Sequence, residues 1–225
     1  MPQVEFLRRC WGILSSKGFN RENTIVGVCV CREEPACFLV REIRKLWKTV
    51  YDFSSLAGMP FVGKTGFLKM QKYAPYGNDD TRFLYMAFSH IGWTVGGERG
   101  MFSPQGNEMP CSGCGGLIAF QRELVSGSAP WEPDPDNLEQ GLLNQQMFRN
   151  MKYGGGSDLV ALTKLAYSII LKDIERLVGL TLANQGNAYA MVTGIQLNGS
   201  DQQEWIWPGE SYERICGQKK ELSLM

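Results

Sequence analysis

The residues of this chain best suited to metal chemistry are its single histidine and three of its seven cysteines. Cys31 precedes His90 in the sequence, and Cys111 and Cys114 follow it with a C-x-x-C spacing. Zinc prefers thiolate and imidazole ligands in a tetrahedral arrangement, and three protein ligands leave a fourth position for water or substrate. We therefore expect Cys31, His90 and either Cys111 or Cys114 to bind one zinc ion.

Other interpretations of the C-x-x-C spacing fit the sequence less well. A structural zinc knuckle needs a second C-x-x-C, which the sequence lacks, and a redox dithiol needs a thioredoxin-like context. Zinc deaminases combine a P-C-x-x-C motif, which residues 110–114 match, with an H-x-E motif. Gly92 stands where that glutamate is required, and a deaminase site would leave Cys31 without a role.

The elements that would position these ligands begin with two strands. Residues Thr24–Val30 form a short, valine-rich apolar run, which predicts a strand buried on both faces. Cys31 follows this strand directly and precedes a helix that begins near Pro35. A second strand is predicted at Arg82–Phe88, and His90 comes just after it. Ligand sites in open α/β sheets lie at such strand ends.

The remaining pattern alternates helices with strands. Residues 53–67 are rich in glycine and predict an irregular loop. The helix that begins near Pro35 is predicted to continue to about Val50. Further helices are predicted from about Gly115, at Asn137–Met151, and from a cap at Ser157 or Asp158 to about Val178; further strands are predicted at Ala188–Leu197 and Glu204–Trp207. This alternation is typical of an α/β protein with a mostly parallel β-sheet flanked by helices, and the length predicts one domain over residues 1–225.

Composition and charge exclude several classes of partner. The chain has 23 basic and 23 acidic residues, so it has no basic surplus for binding nucleic acid. No apolar run reaches the roughly 18 residues of a membrane span, and the N-terminus does not have the pattern of a secretory signal. An odd number of irregularly spaced cysteines is typical of a protein from a reducing compartment.

Four segments of the chain resemble, in order, those of a known family. They are CVCREE at residues 29–34, FSSLAGMPFVGKTGF at 53–67, SHIGW at 89–93 and CSGCGGLIAF at 111–120. Each is similar to a segment of the algal low-CO2-inducible B and C proteins, relatives of β-type carbonic anhydrases of which some are called θ-type. The resemblance implies a β-carbonic-anhydrase-like fold, a Zn²⁺ cofactor, and CO2 and bicarbonate as substrates.

The resemblance also implies a ligand set and a mechanism. Cys31 and His90 match the first two zinc ligands of the family, and Cys114 matches the third better than Cys111 does. In the implied mechanism a zinc-bound hydroxide attacks CO2 to give bicarbonate, because zinc lowers the pKa of bound water to about 7.

Two positions next to the first ligand depart from the β-type pattern. Glu33 stands where the β-type proteins have an aspartate that accepts a hydrogen bond from the zinc-bound water. Pro35 stands where they have an arginine that holds this carboxylate, so Arg32 or Arg41 would have to take its place. The family resemblance therefore implies a catalytic outer shell made of Glu33 with Arg32 or Arg41.

The resemblance leaves an alternative function open and implies an assembly and a location. The alternative is a zinc-binding family member without catalytic activity that acts in inorganic-carbon handling. The β-type proteins are built from dimers, which implies a homodimer here. The algal members are associated with the chloroplast, which favours the chloroplast stroma over the cytoplasm.

Overall fold

The structure is a computed structural model that describes residues 1–75, 80–94, 96–103, 110–127, 134–151, 156–182, 188–199 and 204–224, without the side chains of Glu34 and Pro35. The helices in these ranges are α1 (Gln3–Ser15), α2 (Glu34–Leu46), α3 (Gly63–Gln71), α4 (Gly115–Ser126), α5 (Leu138–Asn150) and α6 (Leu159–Thr181). The strands are β1 (Thr24–Cys29), β2 (Thr49–Asp52), β3 (Arg82–Trp93), β4 (Met101–Phe102), β5 (Cys111–Ser112), β6 (Ala188–Gly199), β7 (Glu204–Pro208), β8 (Tyr212–Ile215) and β9 (Gln218–Glu221).

The central sheet is mostly parallel, which confirms the predicted fold class. Its strands have the order β2-β1-β3-β6-β8-β9, and β7 pairs with β6. The first four strands of this order run parallel, whereas β7, β8 and β9 are added in antiparallel pairs. Every residue of β1 is buried, as expected for a valine-rich strand in the middle of a parallel sheet.

Helices cover both faces of the sheet, as two neighbouring residues of β3 illustrate. Phe88 packs edge-to-face against Phe6 of α1, with ring centroids 6.0 Å apart. The next residue, Ser89, donates a hydrogen bond to the carbonyl oxygen of Thr163 in α6. Because successive side chains of a strand point to opposite faces, α1 and α6 lie on opposite sides of the sheet.

Several predicted elements are confirmed close to their expected bounds. Helix α4 begins at Gly115, α5 covers nearly the predicted range, and β6 and β7 lie where strands were expected. The Asp158 side chain caps α6 by accepting hydrogen bonds from the backbone amides of Val160 and Ala161. None of the helices in the described part of the chain is long and apolar enough to cross a membrane.

Three local predictions are wrong. Strand β3 does not end at Phe88 but continues to Trp93, because β6 pairs with it along its whole length. The helix after Cys31 ends at Leu46, and residues 49–52 form the edge strand β2 instead. The predicted loop at residues 53–67 contains a 3₁₀ turn at Leu56–Gly58 and the start of α3.

Candidate metal centre

Cys31 and Glu33 lie on the short connection between β1 and α2. The chain leaves the sheet at Cys31, which is buried and forms a parallel bridge with Ser55. Glu33 is the residue before the first turn of α2, with extended backbone angles. Two residues at alternate positions of an extended segment project their side chains the same way, so the Cys31 thiol and the Glu33 carboxylate face a common space.

His90 projects from within the sheet rather than from beyond its edge. Because β3 extends to Trp93, His90 is paired on one side with Gln196 of β6. Its side chain is 1% exposed, although we expected His90 just beyond the end of its strand. The ring nitrogen Nδ1 lies 3.0 Å from the side-chain oxygen Oδ1 of Asn198, and Nε2 lies 3.5 Å from Oε2 of Glu33.

Cys114 reaches the same space from the start of α4. It is the residue that precedes the first helical turn, and it is fully buried. Its sulfur lies 3.8 Å from the sulfur of Cys31. The following backbone amide, that of Gly115, donates a hydrogen bond of 2.6 Å to Oε1 of Glu33. A Cβ atom at Gly115 would lie 2.9 Å from that oxygen, so a larger residue would require the carboxylate to shift from this position.

The four side chains Cys31, Glu33, His90 and Cys114 form a donor set that fits zinc. One donor atom from each lies within 4.8 Å of all the others. In a tetrahedral site with zinc–sulfur bonds of about 2.3 Å the two sulfurs are about 3.8 Å apart, and nitrogen and oxygen donors at about 2.0–2.1 Å are about 3.4 Å apart. The observed separations of 3.8 Å and 3.5 Å agree with these values.

Two of these donor atoms are otherwise unsatisfied. Oε2 of Glu33 and Nε2 of His90 are buried and make no hydrogen bond within the described residues. Buried polar atoms are almost always hydrogen-bonded, because an unpaired one loses its hydration without compensation. A cation placed between Oε2, Nε2 and the two sulfurs would satisfy both atoms at once.

The titratable side chains of the cluster shift one another's pKa values. Contact with the Cys114 thiol and with His90 lowers the pKa of Cys31 to about 4, despite its burial. The interaction with Cys31 and burial raise the pKa of Cys114. Burial lowers the pKa of His90, but the neighbouring Cys31 thiolate outweighs it and raises this pKa to about 9. Burial and the same thiolate raise the pKa of Glu33. Because their pKa values are raised, Cys114, His90 and Glu33 hold protons more readily, and a bound metal ion would have to displace these protons.

The structure does not bring the two candidate arginines to Glu33. The Arg32 guanidinium points away from the cluster and forms a salt bridge of 2.7 Å with Glu139 of α5. The Arg41 guanidinium lies over the ring of Phe38, 5.0 Å from its centroid. Among the described residues, the salt-bridge partner of Glu33 is His90.

Cys111 and Cys114 have different positions in the structure. Cys111 lies in the short strand β5 and is half-buried, and its sulfur is not among the four clustered donor atoms. Cys114 is the cysteine of this pair that lies in the cluster. Whether these side chains bind zinc remains a prediction, and the geometry favours Cys114 over Cys111.

Two groups near the donors were not predicted from the sequence. The first is Asn198, which lies one residue beyond the predicted end of its strand and contacts His90. The sequence could have indicated Asn198, because, like His90, it is a polar residue at the carboxyl end of an apolar strand. The second is the backbone amide of Gly115, which contacts Glu33. A backbone donor has no residue-type signal, so the sequence pattern does not reveal it.

The fold and the cluster together define an α/β protein with a candidate metal centre near the carboxyl ends of the strands of a parallel sheet. Residues 1–214 match the family of limiting CO2-inducible proteins B/C, described as beta carbonic anhydrases, and the chain belongs to this family.

Two solved structures support this assignment. The crystal structure of limiting CO2-inducible protein LCIB is 25% identical, with a TM-score of 0.83 over 100% of this chain and 94% of that chain. The crystal structure of PtLCIB4, a homolog of LCIB, shares the fold at 21% identity, with a TM-score of 0.85 over 98% of this chain and 94% of that chain. The comparison with curated proteins found no match.

Proposed function

We propose that this protein is a zinc-dependent carbonic anhydrase that interconverts CO2 and bicarbonate. The observation that carries the proposal is the buried set of two thiols, one imidazole and one carboxylate with the spacing of a tetrahedral zinc site. Membership of a family described as beta carbonic anhydrases supplies the class of reaction.

Three buried side chains would hold the metal. Cys31 and Cys114 would each bind through sulfur, and His90 would bind through Nε2. Zinc bound there would supply a Lewis acid that lowers the pKa of water from about 16 to about 7, so that hydroxide is available at neutral pH. Because the three side chains are at most 1% exposed, they would shield the bonds to a bound metal from solvent.

Glu33 would handle the proton of the attacking water. Its Oε1 is anchored by the amide of Gly115, and its Oε2 lies where a fourth ligand would be. Four protein donors would fill the tetrahedron, so turnover requires Oε2 to move away while Oε1 stays on its anchor. In that position Oε2 would be free to accept a proton from water.

A zinc-binding role without catalysis is the second candidate. Its support is the same fourth donor, because a site closed by four protein ligands is typical of structural zinc. It is also supported by the positions of Arg32 and Arg41, whose guanidinium groups contact Glu139 and Phe38 rather than Glu33. Without a cationic partner to stabilise it elsewhere, the Glu33 carboxylate is expected to stay bound to the metal ion.

Two further parts of the proposal depend on the family alone. We propose that the protein forms a homodimer, as β-type carbonic anhydrases do. We also propose that it acts in the chloroplast stroma, as expected for the algal members, with the cytoplasm as the alternative.

Stopped-flow CO2 hydration tests the function, with purified protein whose zinc content has been measured. The wild type should accelerate hydration, and Cys31→Ser should lose both zinc and activity. Cys216→Ser is the matched control, because Cys216 is exposed in the turn between β8 and β9 and should change neither. Zinc bound at about one ion per chain, without any hydration, would reject the enzyme in favour of the non-catalytic role.

A further inference from the structure

Asn198 is a buried amide that the backbone holds firmly beside His90. It lies in β6, paired with Gly92 of β3 on one side and with Glu204 of β7 on the other. Its side chain is 2% exposed. Because β6 is hydrogen-bonded on both sides here, the backbone of Asn198 cannot shift without breaking one of the two ladders.

The contact between Asn198 and His90 favours one tautomer of the ring. The amide is oriented with Oδ1 towards Nδ1 of His90, at 3.0 Å. A carbonyl oxygen accepts hydrogen bonds and cannot donate them, so in this orientation Nδ1 carries the proton. A neutral imidazole has one such proton, which leaves a lone pair on Nε2. Nε2 is the atom that faces Glu33 and has no hydrogen-bond partner among the described residues.

We propose that Asn198 is a positioning residue that holds His90 in the tautomer with its proton on Nδ1, so that Nε2 is free to bind the metal ion. The inference rests on the proposed zinc site but not on the proposed reaction. Hydrogen-bond acceptors that orient a ligand histidine in this way are conserved features of zinc sites in general, and losing one typically weakens metal binding by about 10- to 100-fold.

A neutral acceptor suits the charge of this cluster. Cys31, Cys114 and Glu33 would bring three negative charges to one divalent ion. An aspartate at position 198 would orient His90 equally well but would add a fourth negative charge in the buried sheet. Asparagine orients the His90 ring without that charge. The side chains of asparagine and aspartate are nearly the same size.

The test compares zinc affinities, measured by competition with a chromophoric chelator. Asn198→Leu removes the acceptor, keeps the branching at Cγ and should weaken zinc binding by about 10- to 100-fold. Asn198→Asp keeps the acceptor and should bind zinc at least as tightly as the wild type. The matched control is Asn144→Leu, the same change at a buried asparagine of α5 that contacts Gln140 and Glu123. The control should lower stability but leave zinc affinity unchanged.

Nitrogen NMR of the histidine ring gives a second readout, independent of activity. The chain has one histidine, so the zinc-loaded protein has a single set of ring signals. The wild type should show a slowly exchanging proton on Nδ1, and Asn198→Leu should exchange that proton much faster.

Three results would overturn the inference. They are a proton on Nε2 in the zinc-loaded wild type, an unchanged zinc affinity in Asn198→Leu, and an Asn198→Asp variant as weak as Asn198→Leu. Absence of zinc binding by the wild type would reject the metal site and this inference together. Loss of affinity in Asn198→Leu without any CO2 hydration by the wild type would support the inference and reject the enzyme.

Discussion

Replacing Cys114 by serine tests the proposed ligand set most directly. The sulfur of Cys114 lies 3.8 Å from that of Cys31, the separation expected for two thiolates on one zinc ion. Serine shortens the side chain, so its oxygen would lie farther from the metal position. Its hydroxyl also stays protonated at neutral pH, and only the deprotonated form would replace a thiolate ligand.

The size of the effect follows from the number of donors. Zinc binding by small structural sites is worth about 10–16 kcal/mol at neutral pH, which corresponds to about 2.5–4 kcal/mol for each of four donors. Losing one donor should therefore weaken zinc binding by about 100- to 1,000-fold. The fold should survive, because Cys114 lies at the start of α4 and the sheet does not depend on its side chain.

The assay is chelator competition on Cys114→Ser beside Cys111→Ser. Cys111 belongs to the same C-x-x-C spacing but lies outside the donor cluster, so its replacement should leave zinc affinity nearly unchanged. Circular dichroism checks that both variants are folded. If Cys111→Ser loses zinc and Cys114→Ser keeps it, the geometry has assigned the third ligand to the wrong cysteine.

Three more predictions concern titratable groups. Glu33→Gln should retain zinc through the three remaining donors but lose CO2 hydration, because an amide cannot take a proton from water; undiminished hydration would remove Glu33 from the mechanism. The raised pKa values of His90 (about 9) and Cys114 mean that zinc must displace protons at neutral pH, so its affinity should rise with pH up to about 9. Calorimetry in buffers of different ionisation enthalpy counts these protons, and a pH-independent affinity would contradict the assignment. Burial raises the pKa of Glu204 from 4.5 to about 7, so the stability it contributes is present below pH 4.5 and is lost as the pH rises through 7. Thermal unfolding should show a smaller loss of stability over this range in Glu204→Gln, and equal losses would show that Glu204 is not the cause.

The positions of two proposed ligands along the fold could be predicted from sequence, although the choice of Cys114 over Cys111 rested on the family resemblance. Cys31 follows an apolar strand run, and Cys114 precedes a helix that begins with two glycines after the C-x-x-C. Both predicted positions agree with the structure. His90 was predicted just after its strand but lies within it, because the pairing of β3 with β6 extends the strand and no local signal predicts that extension.

The environment of Glu33 was less predictable, because it depends on side-chain conformations and on segments distant in sequence. The direction of Arg32 is determined by Glu139, a residue of α5 more than a hundred positions away. The amide that anchors Glu33 belongs to Gly115, which packing of α4 brings to the start of α2. The glycines in residues 53–67 allow a close approach of the backbone, since a Cβ at Gly58 would lie 2.8 Å from the carbonyl oxygen of Phe88. They did not exclude a helix, and α3 begins within that segment.

The pairing of His90 with strand β6 has a consequence for when the protein can acquire its metal during synthesis. All four proposed donors have been synthesised once residue 114, near the middle of the chain, is added. Strand β3, however, is an unpaired edge on one side until β6, residues 188–199, has been made and added. Because Asn198 contacts His90 only after that step, we expect a nascent chain to hold its cysteines close together long before it can bind zinc tightly. Tight zinc binding would then occur only in a chain whose central sheet is fully assembled.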